Sequence, residues 1–280
     1  MHIFYLPLIF CLIIGNQSCR QISGDKNSNQ THLENKPGKF KNESGQLRRP
    51  RRVCEIDLPS GFYRNKVDSL SFAGFLRNLP LDTIDNTIYA YDGTIISRGG
   101  YHNSIIKMDI GNQDLQQCAD AVMRLRAEYL FGRKLYNKIH FNFLSDRKPR
   151  YFSDYAKGNY SYKNFRKYMD YIFSYANTSS LKDELQLVNS VKEMQIGDVF
   201  IQKGSPVGHA VIVVDMAVNK DTGKKIFMVA ESYMPAQSIH ILSNLDNSEL
   251  DPWYPVDFEN SLVLPSWVFY KDDLRRFKAQ

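Results

Sequence analysis

Residues 196–242 hold four apolar runs, at 196–202, 209–218, 225–232 and 239–242, separated by short stretches carrying Gly, Pro, Asn and Asp. Runs of this length, rich in Val, Ile and Phe and bounded by turn residues, predict strands; the gaps are too short for the crossover that parallel pairing needs. The chain is therefore expected to build an antiparallel meander here. In "GHAVIVVDMAVNKDTGKK" a histidine, His209, opens the second run, where an apolar strand has no need of a titratable ring. If the hairpin folds about Lys220, partner numbers add to 440 and His209 stands opposite Glu231. Directly opposed residues bring their Cβ atoms to about 5 Å, close enough for a carboxylate to orient the imidazole. A slip of the turn by one or two residues offers Ser232 or Tyr233 instead. Asp215 is expected on the same face as His209 but six residues along, roughly 20 Å at strand rise and out of reach.

Upstream, Leu115, Cys118, Val122, Leu125 and Tyr129 recur at steps of three and four, which predicts an amphipathic helix capped by Asn112 or Asp114 and ending at Gly132. Cys118 falls in its first turns, on the inward face. Two chemistries fit such a thiol. It is a small buried hydrophobe, or it is a nucleophile whose thiolate the helix N-terminus stabilises, the same amides then holding an oxyanion. A nucleophilic cysteine needs a base, and the base needs a third group to fix its tautomer. Cys118, His209 and Glu231 supply all three in order. The backbone N–H of Cys118, with Gln116 or Gln117, is the candidate oxyanion site, and solvent-facing helix glutamine is the alternative for both side chains. Asp120, Arg124, Arg126 and Glu128 are expected to pair on the helix surface. His140 and Asn142 in "HFNF" fit a cleft wall or a packed strand, and His240 reads as structural. No CxxC or Cys/His metal spacing occurs, so neither a metal nor a cofactor is expected. A Cys54–Cys118 disulfide is the bland alternative to a reactive thiol.

The remaining pattern predicts a helix capped by Asp68 and Ser69 that stops before Pro80, and strands at 87–91, 94–96 and 105–110 with a turn at Asp92-Gly93. A Tyr- and Arg-rich insertion follows at 138–158, then helices at 162–176 and 180–188, the second opened by Ser180 with Asp183 three residues on. No repeat is present, so 53–280 reads as one domain. Ahead of it, residues 1–19 form a signal segment, apolar over 3–14, which is short for a membrane span. Its end, Ser18-Cys19, resembles the lipobox of bacterial lipoproteins, which marks Cys19 for acylation; a plain signal peptide cut nearby, or a short uncut anchor, is the alternative. Residues 20–52 read as a flexible basic tether with nine Lys and Arg against three acids. Because the whole chain has 36 against 30, that segment carries the entire excess of six, and 53–280 balances. The basic pI is thus no argument for nucleic acid.

The order of "GDVF" before "GHAVIVV", after a cysteine at a helix start, resembles the papain-like NlpC/P60 and CHAP superfamily. The stretches "LQQCADAVMRLRAEYL", "FRKYMDYIF", "IGDVFIQ", "GHAVIVVDMAVN" and "SYMPAQSIHIL", with "PWY" later, resemble the exported bacterial family called domain of unknown function 4846. The first likeness implies an α+β papain-like core, a Cys-bearing helix packed on an antiparallel β-meander with an N-terminal extension and a helical insertion. It also implies thiol hydrolase chemistry on amide or ester bonds, commonly of peptidoglycan peptides, carried onto Cys118, His209 and Glu231. Gln117 stands where the NlpC/P60 pattern usually has Asp, and Ala119-Asp120 where it has Ser-Gly. The expected setting is the envelope of a bacterium, with the protein held at the membrane through Cys19. The rival class is a non-catalytic envelope lipoprotein that binds glycan, peptide or a protein partner through the aromatics of 138–160.

Overall fold

Residues 40–41, 47–204 and 207–278 are described by a computed structural model. Of the two units into which the chain divides, Met1–Glu34 and Asn35–Gln280, all of them belong to the second. The expected signal segment with Cys19, and most of the expected tether, lie outside the described residues. Residues 49–52, expected in the tether, instead pack on the body: Arg52 bridges to Pro80, and the Arg49 Nη1 donates to the Ile84 carbonyl at 3.2 Å.

The predicted meander is the centre of a nine-stranded, wholly antiparallel sheet. Its strands in chain order are β1 (Phe62–Tyr63), β2 (His102–Ile105), β3 (Gln186–Leu187), β4 (Val199–Gln202), β5 (His209–Asn219), β6 (Lys225–Glu231), β7 (His240–Leu242), β8 (Tyr254–Pro255) and β9 (Leu274–Arg276). Across the sheet they lie β2-β7-β6-β5-β4-β9-β3, with β8 beside β6 and β1 beside β5. Five helices are described: α1 (Phe72–Arg77), α2 (Cys118–Gly132), α3 (Phe152–Ala156), α4 (Tyr162–Phe173) and α5 (Thr178–Glu184). The chain is thus α+β, as expected.

Period-two alternation divides β5 and β6 between two cores. Ala210, Ile212, Val214, Met228 and Ala230 face a helical layer that includes Ala119, Val122, Met123 and Leu125 of α2. Val211, Val213, Phe227 and Val229 face the other way, onto Phe258, Leu262 and Phe269 of the C-terminal segment. Both faces of the central strands are covered, which is why their sequence runs apolar rather than alternating with polar residues.

Several expected starts shift. Ser71, whose Oγ accepts from Gly74 N–H, caps α1 in place of Asp68 and Ser69. Asn177 caps α5 in place of Ser180, its Oδ1 accepting from the N–H groups of Ser179 and Ser180. The β5–β6 hairpin departs from the expected register. Asn219 N–H bonds to Lys224 O, so the loop spans four residues and its centre lies past Lys220. Ile212 then pairs with Ala230 and Val213 with Val229, while Val214 is bulged out before Asp215 meets Met228. Continuing that ladder sets Glu231 against Val211, so His209 and Glu231 are diagonal rather than directly opposed neighbours.

The bulge also moves Asp215 off the face expected of it. One extra residue exchanges the two faces of everything beyond it, and Asp215 turns to α1, opposite to His209. There it is fully buried, with Oδ1 2.5 Å from Arg77 Nε and Oδ2 2.6 Å from Arg64 Nε. Asp215→Ala, which strands a buried guanidinium, is expected to cost about 3–5 kcal/mol in urea unfolding. Loss of the Arg147–Asp183 pair, about 40% exposed on both sides, is expected to cost under about 1 kcal/mol. Equal losses at the two sites would contradict this reading.

Candidate functional site

Helix α2 starts at Cys118 itself, not at the expected cap positions. Gln117 is extended (φ −90°, ψ −159°) and its N–H donates to Asp120 Oδ2 at 3.1 Å, closing the first turn. Asp114 is used elsewhere: its Oδ1 accepts from Ala236 N–H at 2.7 Å and from Gln117 Nε2 at 3.1 Å, tying the lead-in of α2 to the segment between β6 and β7. Cys118 is therefore the first helical residue, pressed against the start of β5.

The Cys118 Sγ lies 4.0 Å from the Gly208 carbonyl oxygen. Hydrogen bonds from the Ala119 and Ala210 backbone favour a thiolate, as a helix N-terminus should. Burial outweighs them. With Cys118 only 6% exposed, desolvation first and the Asp120 charge second push the thiol up to about 12. The resting sulfur is thus a protonated thiol, which leaves both sequence readings of Cys118 open. Asp120 itself is buried, which pushes its carboxyl well above the usual range, and its Oδ1 has no hydrogen-bond partner among the described residues. Cys54 and Cys118 are both free, so the disulfide alternative falls away.

His209 Nε2 lies 2.8 Å from Glu231 Oε2, both residues 1% exposed. The ring packs against Tyr233, Trp267 and Phe269, at centroid distances of 5.0, 5.3 and 6.0 Å. These contacts place it on the sheet face away from α2, whereas the thiol meets the backbone on either side of it, at Gly208 and Ala210. Among the described residues no hydrogen bond joins the thiol to the imidazole. The carboxylate is better served: Oε2 also accepts from Ser266 Oγ at 2.7 Å, and Oε1 lies 3.4 Å from His240 Nε2. Burial alone would raise Glu231, but the hydrogen bond to His209 and the close approach of His240 hold it down at about 2.

Of the alternatives to Glu231, Tyr233 packs on the His209 ring and Ser232 has other partners. Ser232 Oγ lies 3.1 Å from Gln116 O and 2.8 Å from Gln237 O. Gln116 is fully buried, correcting the solvent-facing alternative: its Oε1 accepts from Arg124 Nη1 at 2.9 Å and its Nε2 has no partner among the described residues. Arg124 pairs with Glu128 at 2.6 Å, whereas Arg126 lies over the rings of Phe72, Tyr129 and Phe277. His140 and Asn142 line a cleft of about 140 Å³ with Glu184, whose carboxyl burial raises to about 7. A larger groove of about 290 Å³ runs along Asn65, Arg77, Met216 and Lys225. Cys118 and His209 line neither.

Sequence reasoning missed Ser266 and the role of His240. His240 pairs directly with Glu231 across β6 and β7, so the facing-residue argument applied to the next strand pair would have found it. Ser266 comes from the C-terminal hairpin, 35 residues on, with no local signal.

A family profile described as Domain of unknown function (4846) matches residues 54–160 and 152–276. The chain belongs to this family. No curated protein and no solved structure matches it. The two matched spans overlap, and β1 and β2 of the first join the same sheet as the later strands of the second.

Two measurements check the site. A Cβ on Gly208 would stand 2.3 Å from Gln202 O and 2.7 Å from Thr178 Oγ1, so Gly208→Ala is expected to cost about 1–3 kcal/mol and to speed reaction of Cys118 with a disulfide reagent in the folded protein. Unchanged stability would show that this close approach does not exist. Glu231, with its folded pKa depressed, adds stability that is full above the ordinary 4.5 and is lost as pH falls toward about 2. Glu231→Gln should flatten the loss of unfolding free energy over that window, and a slope equal to wild type would refute the assignment.

Proposed function

We propose that this chain is a thiol hydrolase of amide or ester bonds, built on a papain-like core of the NlpC/P60 or CHAP type. In this reading it is anchored at a bacterial envelope through acylated Cys19 and acts on cell-wall peptides. One observation carries the proposal: Cys118 is the first residue of α2, against the start of the strand whose His209 is held by Glu231 at 2.8 Å.

The chemistry follows from which ring nitrogen is engaged. Nε2 faces Glu231, which leaves Nδ1 as the base. In this reading the start of β5 shifts on substrate binding so that the thiol leaves the Gly208 carbonyl and meets Nδ1, giving up its proton as sulfur bonds to the substrate carbonyl carbon. Backbone N–H groups at the start of α2 hold the oxyanion. Collapse breaks the carbon–nitrogen or carbon–oxygen bond, and the imidazolium returns its proton to the leaving group. Water, deprotonated by the same ring, then attacks the thioester, releasing the acid and restoring the thiol.

The closed thiol, pushed up to about 12 and without a bond to the imidazole, favours a second reading. On this view the protein is a non-catalytic envelope component that binds glycan, peptide or a protein partner through the exposed aromatics of 138–160, such as Tyr155 and Tyr160. Incubation with purified muropeptides separates the two. The hydrolase reading expects new amine ends, an acyl adduct on Cys118 by intact-mass spectrometry, loss of both in Cys118→Ala, and turnover about 10²–10⁴-fold lower in His209→Ala. Turnover that survives Cys118→Ala, or no turnover and no adduct in wild type, rejects it for the binding reading.

A further inference from the structure

On the sheet face away from α2, a row of polar side chains crosses the strands: His209 on β5, Glu231 on β6, His240 on β7 and His102 on β2. All four are at most 5% exposed. Their hydrogen bonds restrict where protons can be. His240 Nδ1 lies 2.9 Å from Ser238 O, and a carbonyl only accepts, so Nδ1 carries a hydrogen. His102 Nε2 lies 2.6 Å from Asn86 O and carries one for the same reason. The open question is His240 Nε2, which stands 3.4 Å from Glu231 Oε1, at ion-pair distance but with no hydrogen-bond partner among the described residues.

A neutral His240 would turn a bare lone pair toward a buried carboxylate. That leaves Glu231 short of a counter-charge on one oxygen and sets two electron-rich atoms facing each other away from water, a costly arrangement. A second proton removes both faults. The other groups facing His240 are the rings of Tyr101 and His102, at 5.7 and 5.8 Å between centroids, and neither supplies a negative charge in its neutral form. If His209 carried the charge instead, the lone-pair contact would persist. If both rings were charged, the row would hold a net positive charge with almost no exposure.

We infer that His240 is a positioning residue: a buried imidazolium that neutralises Glu231, so that His209 stays neutral with Nε2–H on the carboxylate and Nδ1 free to accept a proton. The charge assignment stands on the geometry alone, and its use for catalysis rests on the hydrolase reading above. His209 would otherwise be protonated beside an ionised glutamate, and a protonated ring is no base.

The test is ¹⁵N-detected NMR of the full chain labelled at histidine, assigned with single His→Gln variants. At neutral pH, wild type should show both His240 nitrogens protonated and His209 protonated at Nε2 alone. In His240→Gln, His209 should become doubly protonated, its titration moving up by about one pH unit or more, about a tenfold change. A ring that merely packs would leave that titration where it was. If His240→Gln fails to fold, the wild-type spectrum decides. A singly protonated His240 at neutral pH, or an unmoved His209 titration in His240→Gln, overturns the inference. Because the spectrum needs no substrate, absence of turnover beside a doubly protonated His240 would reject the hydrolase and leave the charge assignment intact.

Discussion

One ionised carboxylate, sealed in the middle of a sheet, sets the terms for everything around it. Glu231 is 1% exposed and still held at about 2, which a buried acid manages only with cationic or donor partners in contact. His209 and His240 come from the strands on either side, and Ser266 from the C-terminal hairpin. The register of β5, β6 and β7 is therefore also an electrostatic arrangement: a slip of one residue would turn Glu231 toward α2 and leave the histidines without it. The four-residue loop closed by Asn219 and Lys224, with the bulge at Val214, fixes that register while aiming Asp215 at Arg77 and Arg64 on the other face. Each face of the sheet thus satisfies its own buried acid.

Magnitudes decide the state of the thiol. A helix N-terminus favours a negative charge by about 0.3–1 kcal/mol, whereas a rise from 9.0 to about 12 corresponds to about 4 kcal/mol against the thiolate. Burial wins by a wide margin. A reactive Cys118 must then lose its proton during attack, to a base, rather than wait as a preformed thiolate. A neutral His209, kept so by the His240–Glu231 pair, is the base such a mechanism requires.

Much of this was legible in the residues. Strands β4 to β7 announced themselves through apolar runs between turn residues, and Cys118, His209 and Glu231 stood out as chemistry on otherwise apolar elements. Register was harder, because a loop centre read as Lys220 and an unforeseen bulge at Val214 shift partners in opposite senses, by three and by one. Contact between His209 and Glu231 survived that error only because a diagonal neighbour still reaches. Burial was the least legible property. Spacing placed Cys118 on the inward face, but the closeness of Gly208 and Ala210 to its sulfur depends on how β5 enters the sheet. Gln116 hides its amide against Arg124, a helical turn and more away in sequence, which no local pattern reveals.

The pH dependence of Cys118 alkylation in the folded protein reaches the central claim most directly. A buried thiol with no base bonded to it reacts only through its small thiolate fraction, which predicts an alkylation rate that climbs about tenfold per pH unit from about pH 6 to about pH 9, with no plateau. A rate already level at about pH 7 would mean a standing thiolate or a base already bonded to the thiol, and would contradict the buried, unassisted state of the sulfur.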